Sequence, residues 1–129
     1  MGTYTQILYH IIYGTKNHHH TLTKENRPKL FKYLSGIIKN KKCHLYRING
    51  IENHIHIATH LHPSVSLASL VKDMKISSSK FIKEHGIFSK FIGWQDGYSA
   101  FTYNYANKDI LIDYIKNQEE HHHVKTFRE

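Results

Sequence analysis

The chain has one cysteine, two prolines and no long apolar run. A lone cysteine, Cys43, excludes an intrachain disulfide and suits a reducing compartment. No stretch approaches the length of a membrane-spanning helix, and residues 1–14 lack the basic and apolar blocks of a signal peptide. We therefore expect a cytoplasmic protein without a membrane partner. Its 129 residues suit one domain, residues 1–129, that needs no covalent staples.

Positive charge is in excess. Lys and Arg number 18 against 10 Asp and Glu, giving a net charge of +8, which favours a polyanionic partner such as nucleic acid. Nine tyrosines and six phenylalanines offer stacking surfaces for unpaired bases, although most aromatic side chains fill cores. Four lysines lie on one predicted helix, mostly away from its apolar stripe: Lys72, Lys75, Lys80 and Lys83. DNA contact and a solvated helix face explain these lysines equally well.

Hydrophobic periodicity predicts seven elements in the order strand, helix, strand, strand, helix, strand, helix. The strands are expected at residues 4–14, 44–49, 52–61 and 98–105. The helices are expected at residues 24–40, from a Ser66 cap to Gly86, and from an Asn107 cap to about residue 120. This order is that of an α+β, ferredoxin-like split βαβ sandwich. We expect an antiparallel sheet with helices on one face, plus an added C-terminal helix.

The third predicted strand carries histidines on one face only. Its apolar face holds Ile55, Ile57, Thr59 and Leu61, and its other face holds His54, His56, Ala58, His60 and His62. The apolar face should lie on the helices, which leaves the histidine face for a site or a partner. His60 and His62 lie about 13 and 20 Å beyond His56, too far to share one ion with it. The alternative for His54 and His56 is a pair of surface imidazoles.

Tyr114 and Gln118 lie four residues apart on the last predicted helix and so share one of its faces. If that helix meets the histidine face, two imidazoles and an amide oxygen can hold a divalent metal beside a tyrosine hydroxyl. This arrangement suits attack on a phosphodiester. Taken alone, Tyr114 is better interpreted as a core residue packing with Ile110 and Leu111, and Gln118 as a solvent-facing helix residue. The rival nucleophiles are Tyr98, Tyr103 and Tyr105, but none of them has a partner like Gln118.

Four blocks in sequence order carry a family resemblance. They are Tyr4 to Gly14; Gly50-Ile51 followed by His54-Ile55-His56; Trp94 to Phe101; and Asp113 to His122, continuing to Lys125-Thr126-Phe127-Arg128-Glu129. In this combination the chain resembles the single-tyrosine HUH transposases, which include the small single-strand insertion-sequence transposases and the REP-associated tyrosine transposases. The resemblance covers almost the whole chain and implies the same ferredoxin-like architecture.

The resemblance also implies an activity and a site. It implies a transposase that nicks and rejoins single-stranded DNA through a 5′-phosphotyrosine and recognises hairpins at the ends of an element. Tyr114 would be the nucleophile, and His54, His56 and Gln118 would be ligands of Mg²⁺ or Mn²⁺, with no organic cofactor. The family works as a homodimer in which the tyrosine helix can complete the partner's metal site. One position departs from the family pattern, because Asn53 stands where an aspartate commonly precedes the first histidine. This change could lower metal affinity or activity.

Three other functions are compatible with parts of the sequence. A domesticated relative would bind hairpins without cutting them. A histidine-rich metal-binding protein would account for the thirteen histidines without a role for nucleic acid. A replication initiator or relaxase shares the His-x-His pattern, but such domains are generally larger and order their motifs differently. The histidine runs 18–20 and 121–123 are expected in a loop and a tail rather than in metal sites.

Overall fold

Four strands form one antiparallel sheet in the order β2-β3-β1-β4. The computed structural model describes residues 2–118. The strands are β1 (Leu8–Gly14), β2 (His44–Ile51), β3 (His54–His60) and β4 (Ser99–Tyr103). The helices are α1 (Arg27–Asn40), α2 (Leu67–His85) and α3 (Lys108–Lys116), with short 3₁₀ turns at Lys16–His18 and Tyr105–Asn107. The predicted α+β class and the order of the elements are confirmed.

Several boundaries differ from the prediction by a few residues. β1 begins at Leu8 rather than at residue 4, because its neighbour β3 ends at His60, the residue paired with Leu8. α1 begins after Asn26, with Pro28 in its first turn, where proline's fixed φ is tolerated. The Ser66 cap of α2 is confirmed, since its Oγ accepts a hydrogen bond from the Ser69 N–H at 3.1 Å. The predicted helix end near residue 120, the histidine run 121–123 and the family block 125–129 lie outside the described residues.

One face of the sheet carries the main core, between the strands and helices α1 and α2. The buried residues that form it include Ile11, Ile55, Ile57, Leu30, Leu34, Ile38, Leu70, Met74 and Ile82. Period-2 alternation in the strands and the apolar stripes of the two helices bring these side chains together. The apolar face of β3 therefore lies on the helices, as predicted.

Helix α3 covers the opposite face of the sheet. Leu111 and Ile115 of α3 pack on Leu8 and Ala58 in a second, smaller core. The even-numbered residues of β1 and β3 point to this face, and His10, His54 and His56 are among them. The histidine face of β3 is thus neither open surface nor main core, because part of it lies beneath α3.

The tight hairpin between β2 and β3 depends on Gly50. A Cβ atom added at Gly50 would lie 2.5 Å from the carbonyl oxygen of His54 and 2.9 Å from Cγ2 of Ile55. Any other residue would push the two strands apart at that point. Gly50 therefore fixes where β3, and with it His54, lies against β2.

Within residues 2–118, no helix is long and apolar enough to cross a membrane.

Candidate functional site

His54 and His56 lie side by side at the start of β3. His56 is fully buried and His54 is 9% exposed, and their ring centroids are 5.0 Å apart. They are therefore not the surface imidazoles of the alternative interpretation. Nδ1 of His54 lies 2.9 Å from Oδ1 of Asn53, and Nδ1 of His56 lies 2.8 Å from Nε2 of His10. With each Nδ1 engaged, Nε2 is the nitrogen that each ring can offer to a cation.

His10 of β1 is part of this cluster, although it was not among the predicted site residues. It is 3% exposed, and its ring stacks on that of His56 with centroids 5.0 Å apart and planes at 30°. Burial, followed by repulsion from a charged His56, lowers the pKa of His10 to about 4, so that its imidazole is neutral at neutral pH. The sequence contained one signal for it, a histidine inside an otherwise largely apolar strand.

Tyr114 reaches the histidines from α3. Its ring meets those of His10 and His56 edge-on, with both centroid distances 6.1 Å. The same side chain also packs on the small core of Leu8 and Ala58. The core and site interpretations of Tyr114 are thus compatible, because the same ring packs on the small core and contacts the imidazoles.

Gln118 is fully buried, so it is not a solvent-facing helix residue. Its Nε2 donates a hydrogen bond to the carbonyl oxygen of Tyr114, one turn earlier, at 3.2 Å. Within residues 2–118 its Oε1 is buried and has no hydrogen-bond partner. A buried carbonyl oxygen without a donor is destabilising, and a cation would compensate it.

The four lysines of α2 lie elsewhere, because α2 covers the sheet face opposite the histidines. Lys72, Lys80 and Lys83 are exposed. Lys75 instead donates hydrogen bonds to the carbonyl oxygens of Gln95, at 2.8 Å, and Gly97. Partial burial lowers the pKa of Lys75. The structure thus brings the rings of His54, His56 and Tyr114 together, buries Gln118 one helical turn after Tyr114, and keeps the lysines on the other face of the sheet.

A cleft of about 510 Å³ opens beside His54 at the end of β1. Polar and aromatic side chains line it, among them His18, His20, Asn53, Gln95 and Tyr98. Two of these histidines come from the run 18–20, which lies in the exposed loop after β1, as predicted. The cleft is within the usual size range of ligand pockets.

A family model described as "Transposase IS200 like" matches residues 3–118. The chain belongs to the IS200-like transposase family. Its fold is similar to that of a candidate transposase from Deinococcus radiodurans R1, with a TM-score of 0.70 and 23% identity over 92% of this chain and 96% of the other. It is also similar to a REP-associated tyrosine transposase bound to a REP hairpin, with a TM-score of 0.68 and 16% identity over 95% of this chain and 74% of the other. At these identities the similarity establishes the fold alone. No curated protein sequence matches the chain.

The side chains of His54, His56 and Gln118 in this IS200-like transposase have the chemistry of ligands for a divalent metal ion. The family is generally metal-dependent. Among residues 2–118, no three His, Cys, Asp or Glu side chains form a metal-binding group. The buried Oε1 of Gln118 is a donor of another kind, an amide oxygen of the sort that Mg²⁺ and Mn²⁺ accept. Imidazole nitrogens and an amide oxygen suit Mn²⁺ or Mg²⁺ with water or phosphate completing the shell.

The side-chain amide of Asn53 in this transposase is a hydrogen-bond partner of the His54 imidazole. Its Oδ1 lies 2.9 Å from Nδ1 of His54, close enough to accept that N–H. The amide orients the imidazole as an aspartate would, but it adds no negative charge.

Proposed function

We propose that this IS200-like transposase nicks and rejoins single-stranded DNA through a covalent 5′-phosphotyrosine at Tyr114. The observation that carries the proposal is the edge-on contact of the Tyr114 ring with His10 and His56, 6.1 Å from each. A nucleophile must lie beside the groups that bind the reacting phosphate, and the contact of the Tyr114 ring with these imidazoles supports its assignment as the nucleophile.

In the proposed reaction the phenolic oxygen of Tyr114 attacks the scissile phosphorus. A bond forms between that oxygen and the phosphorus, and the bond from phosphorus to the 3′ oxygen breaks. The tyrosine gives up its proton, and the leaving 3′ oxygen takes up a proton to become a 3′-hydroxyl. The 3′-hydroxyl of a second strand can reverse the step. No ATP is needed, because the energy of the phosphodiester is kept in the enzyme link.

We propose His54, His56 and Gln118 as the ligands of Mg²⁺ or Mn²⁺. When bound, such a cation would draw electron density from the scissile phosphate and stabilise charge on the leaving 3′ oxygen. All three side chains are neutral as ligands, so they leave the positive charge uncompensated and favour an anionic phosphate as a further ligand. The buried Oε1 of Gln118, without a hydrogen-bond partner in residues 2–118, supports this assignment.

We propose that the substrate is single-stranded DNA flanked by hairpins. The net charge of +8 favours a nucleic acid, and the cleft lined in part by His54 is a candidate path for an unpaired strand. The similar REP-associated enzyme was determined with a REP hairpin. The exposed Lys72, Lys80 and Lys83 are candidate phosphate contacts for a hairpin arm. Lys75 is a weaker candidate, because it already donates a hydrogen bond to the carbonyl oxygen of Gln95. The homodimer implied by the resemblance stays a prediction, which sedimentation or light scattering would test.

The test compares cutting with binding in the same protein. The substrate is single-stranded DNA carrying the hairpins that flank the gene, with Mn²⁺ or Mg²⁺ present and duplex DNA as the control. His54→Ala should abolish cleavage and leave hairpin binding intact. His60→Ala, on the same face of β3 but at its far end, should change neither.

Two results would contradict the proposal. Cleavage by His54→Ala at the wild-type rate would exclude His54 as a ligand of the catalytic metal ion. Tight hairpin binding by the wild-type protein with no cleavage under any metal would favour the non-cutting hairpin-binding alternative.

A further inference from the structure

His10 is a buried polar residue in the largely apolar strand β1. It lies in the middle of β1, is 3% exposed, and contacts the rings of His56 and Tyr114. Within residues 2–118 its Nδ1 is buried and has no hydrogen-bond partner. Burying such an atom is destabilising, so packing alone does not account for a histidine here.

The contact between His10 and His56 involves defined atoms. Nε2 of His10 lies 2.8 Å from Nδ1 of His56, and a neutral pair of rings shares one proton across that distance. If His10 holds this proton, the other proton of His56 lies on Nε2 and blocks it as a ligand. If His56 holds it, Nε2 of His56 carries a lone pair. Only the second tautomer can bind a cation through Nε2.

The two proposed imidazole ligands then have matching supports. Oδ1 of Asn53 lies beside Nδ1 of His54, and Nε2 of His10 lies beside Nδ1 of His56. Each support can accept an N–H and so direct the opposite nitrogen of the ring toward a metal. This use of an outer hydrogen-bond partner is general for metal-bound histidines.

We propose that His10 is a positioning residue that accepts the Nδ1–H of His56 and thereby fixes the metal-binding tautomer of that ring. This inference rests on the proposed metal site. It assigns His10 no contact with metal or substrate. His10 acts through His56, and its ring also forms part of the wall against which Tyr114 packs.

Two substitutions of His10 distinguish the effect of its hydrogen-bond acceptor from the effect of its ring volume. His10→Gln can place an amide oxygen near the position of Nε2 and keeps an acceptor. His10→Phe keeps a ring and removes the acceptor. His60→Phe is the matched control, because His60 lies on the same face of β3 and its Nδ1 contacts only the main chain at Ile7 among its described hydrogen bonds.

The experiment measures Mn²⁺ binding by electron paramagnetic resonance on the full chain without DNA. His10→Phe should weaken Mn²⁺ binding about 10- to 100-fold, the usual cost of losing such a partner. His10→Gln and His60→Phe should stay close to wild type. Binding by His10→Phe equal to wild type would overturn the inference, and so would equal losses in His10→Gln and His10→Phe.

A His56→Ala variant separates this inference from the proposed function. If His56→Ala binds Mn²⁺ as tightly as wild type, the metal site itself is wrong. If His56→Ala binds weakly and His10→Phe does not, only the role of His10 is wrong.

A second readout does not depend on the folding of His10→Phe. ¹⁵N NMR of the metal-free wild-type protein, assigned with a His56→Gln spectrum, reports which nitrogen of His56 carries the proton. A proton on Nδ1 is expected, and a proton on Nε2 would overturn the inference.

Discussion

The side-chain amide of Asn49, in β2, donates a hydrogen bond to the carbonyl oxygen of Lys116, the last residue of α3, at 2.9 Å. The same amide lies 3.0 Å from the carbonyl oxygen of Ile115. The last carbonyls of a helix have no partners within it, so this contact satisfies them and ties the helix end to the sheet. Asn49 thereby helps to hold α3, which carries Tyr114, against the sheet.

Asn49→Ala should loosen α3 more than the rest of the fold. Losing these hydrogen bonds should cost about 1–3 kcal/mol of local stability. Amide hydrogen exchange should rise in α3, and DNA cleavage should fall while hairpin binding remains. Asn26→Ala is the control, because Asn26 donates a similar bond to the carbonyl oxygen of Ile87, 2.8 Å away, in another part of the fold. Equal exchange in α3 for the two variants would show that Asn49 has no special role.

Gln118→Leu should separate stability from metal binding. Leucine has a similar size and removes the buried Oε1 that lacks a partner in residues 2–118. The unfolding free energy of the metal-free protein should stay within about 1 kcal/mol of wild type, because a polar burial cost is removed together with one hydrogen bond. Mn²⁺ affinity should fall about tenfold or more. A variant that binds Mn²⁺ as wild type does would exclude Gln118 as a ligand.

Gly50→Ala should disturb the start of β3. The added methyl group would meet the His54 carbonyl at 2.5 Å, so the strands must shift, at a cost of about 1–3 kcal/mol. Metal binding should weaken as His54 moves. Gly36→Ala in α1 is the opposite case, since its added Cβ meets nothing within 4 Å and should stabilise the helix by up to about 1 kcal/mol. Chemical denaturation of both variants checks the two signs, and a stabilising Gly50→Ala would contradict the close approach.

Acid should destabilise the metal-free protein partly through His10. The folded pKa of about 4 lies below the ordinary value of 6.5, so the unfolded chain binds the proton first as the pH falls. No contribution is present above pH 6.5, and a penalty grows down to pH 4, reaching about 3 kcal/mol. In His10→Phe this part of the penalty is absent, so its stability should fall less over that range. Parallel urea titrations at pH 7.5 and 4.5, giving equal losses for both proteins, would refute this origin.

The order of the elements followed from the sequence because each element has a clear local period. β3 is the clearest example, since alternation in its sequence alone separates the histidine face from the face of Ile55 and Ile57. The start of β1 could not be predicted in this way. Alternation continues from residue 4, but pairing stops where β3 ends at His60. A strand end of this kind is set by the neighbouring strand rather than by the strand's own residues.

Only those site residues that belong to a short sequence motif could be predicted from the sequence. His54, His56, Tyr114 and Gln118 were predicted from two short patterns, and the structure brings the rings of His54, His56 and Tyr114 together on one face of the sheet. His10 and Asn49 were not predicted as parts of the site. Their contacts join residues 46 and 67 positions apart in the chain, and no local periodicity reports such pairs. Supporting residues of this kind emerge only from the packed structure.

The central claim is the covalent link at Tyr114, and a protein–DNA adduct on a denaturing gel tests it most directly. The reaction needs single-stranded DNA with the flanking hairpins and Mn²⁺ or Mg²⁺. The matched control is Tyr103→Phe, because the Tyr103 ring also lies near His10, at 5.9 Å. We predict a metal-dependent adduct in wild type and Tyr103→Phe, mapped by peptide mass to Tyr114 and absent from Tyr114→Phe. An adduct that persists in Tyr114→Phe would contradict the account.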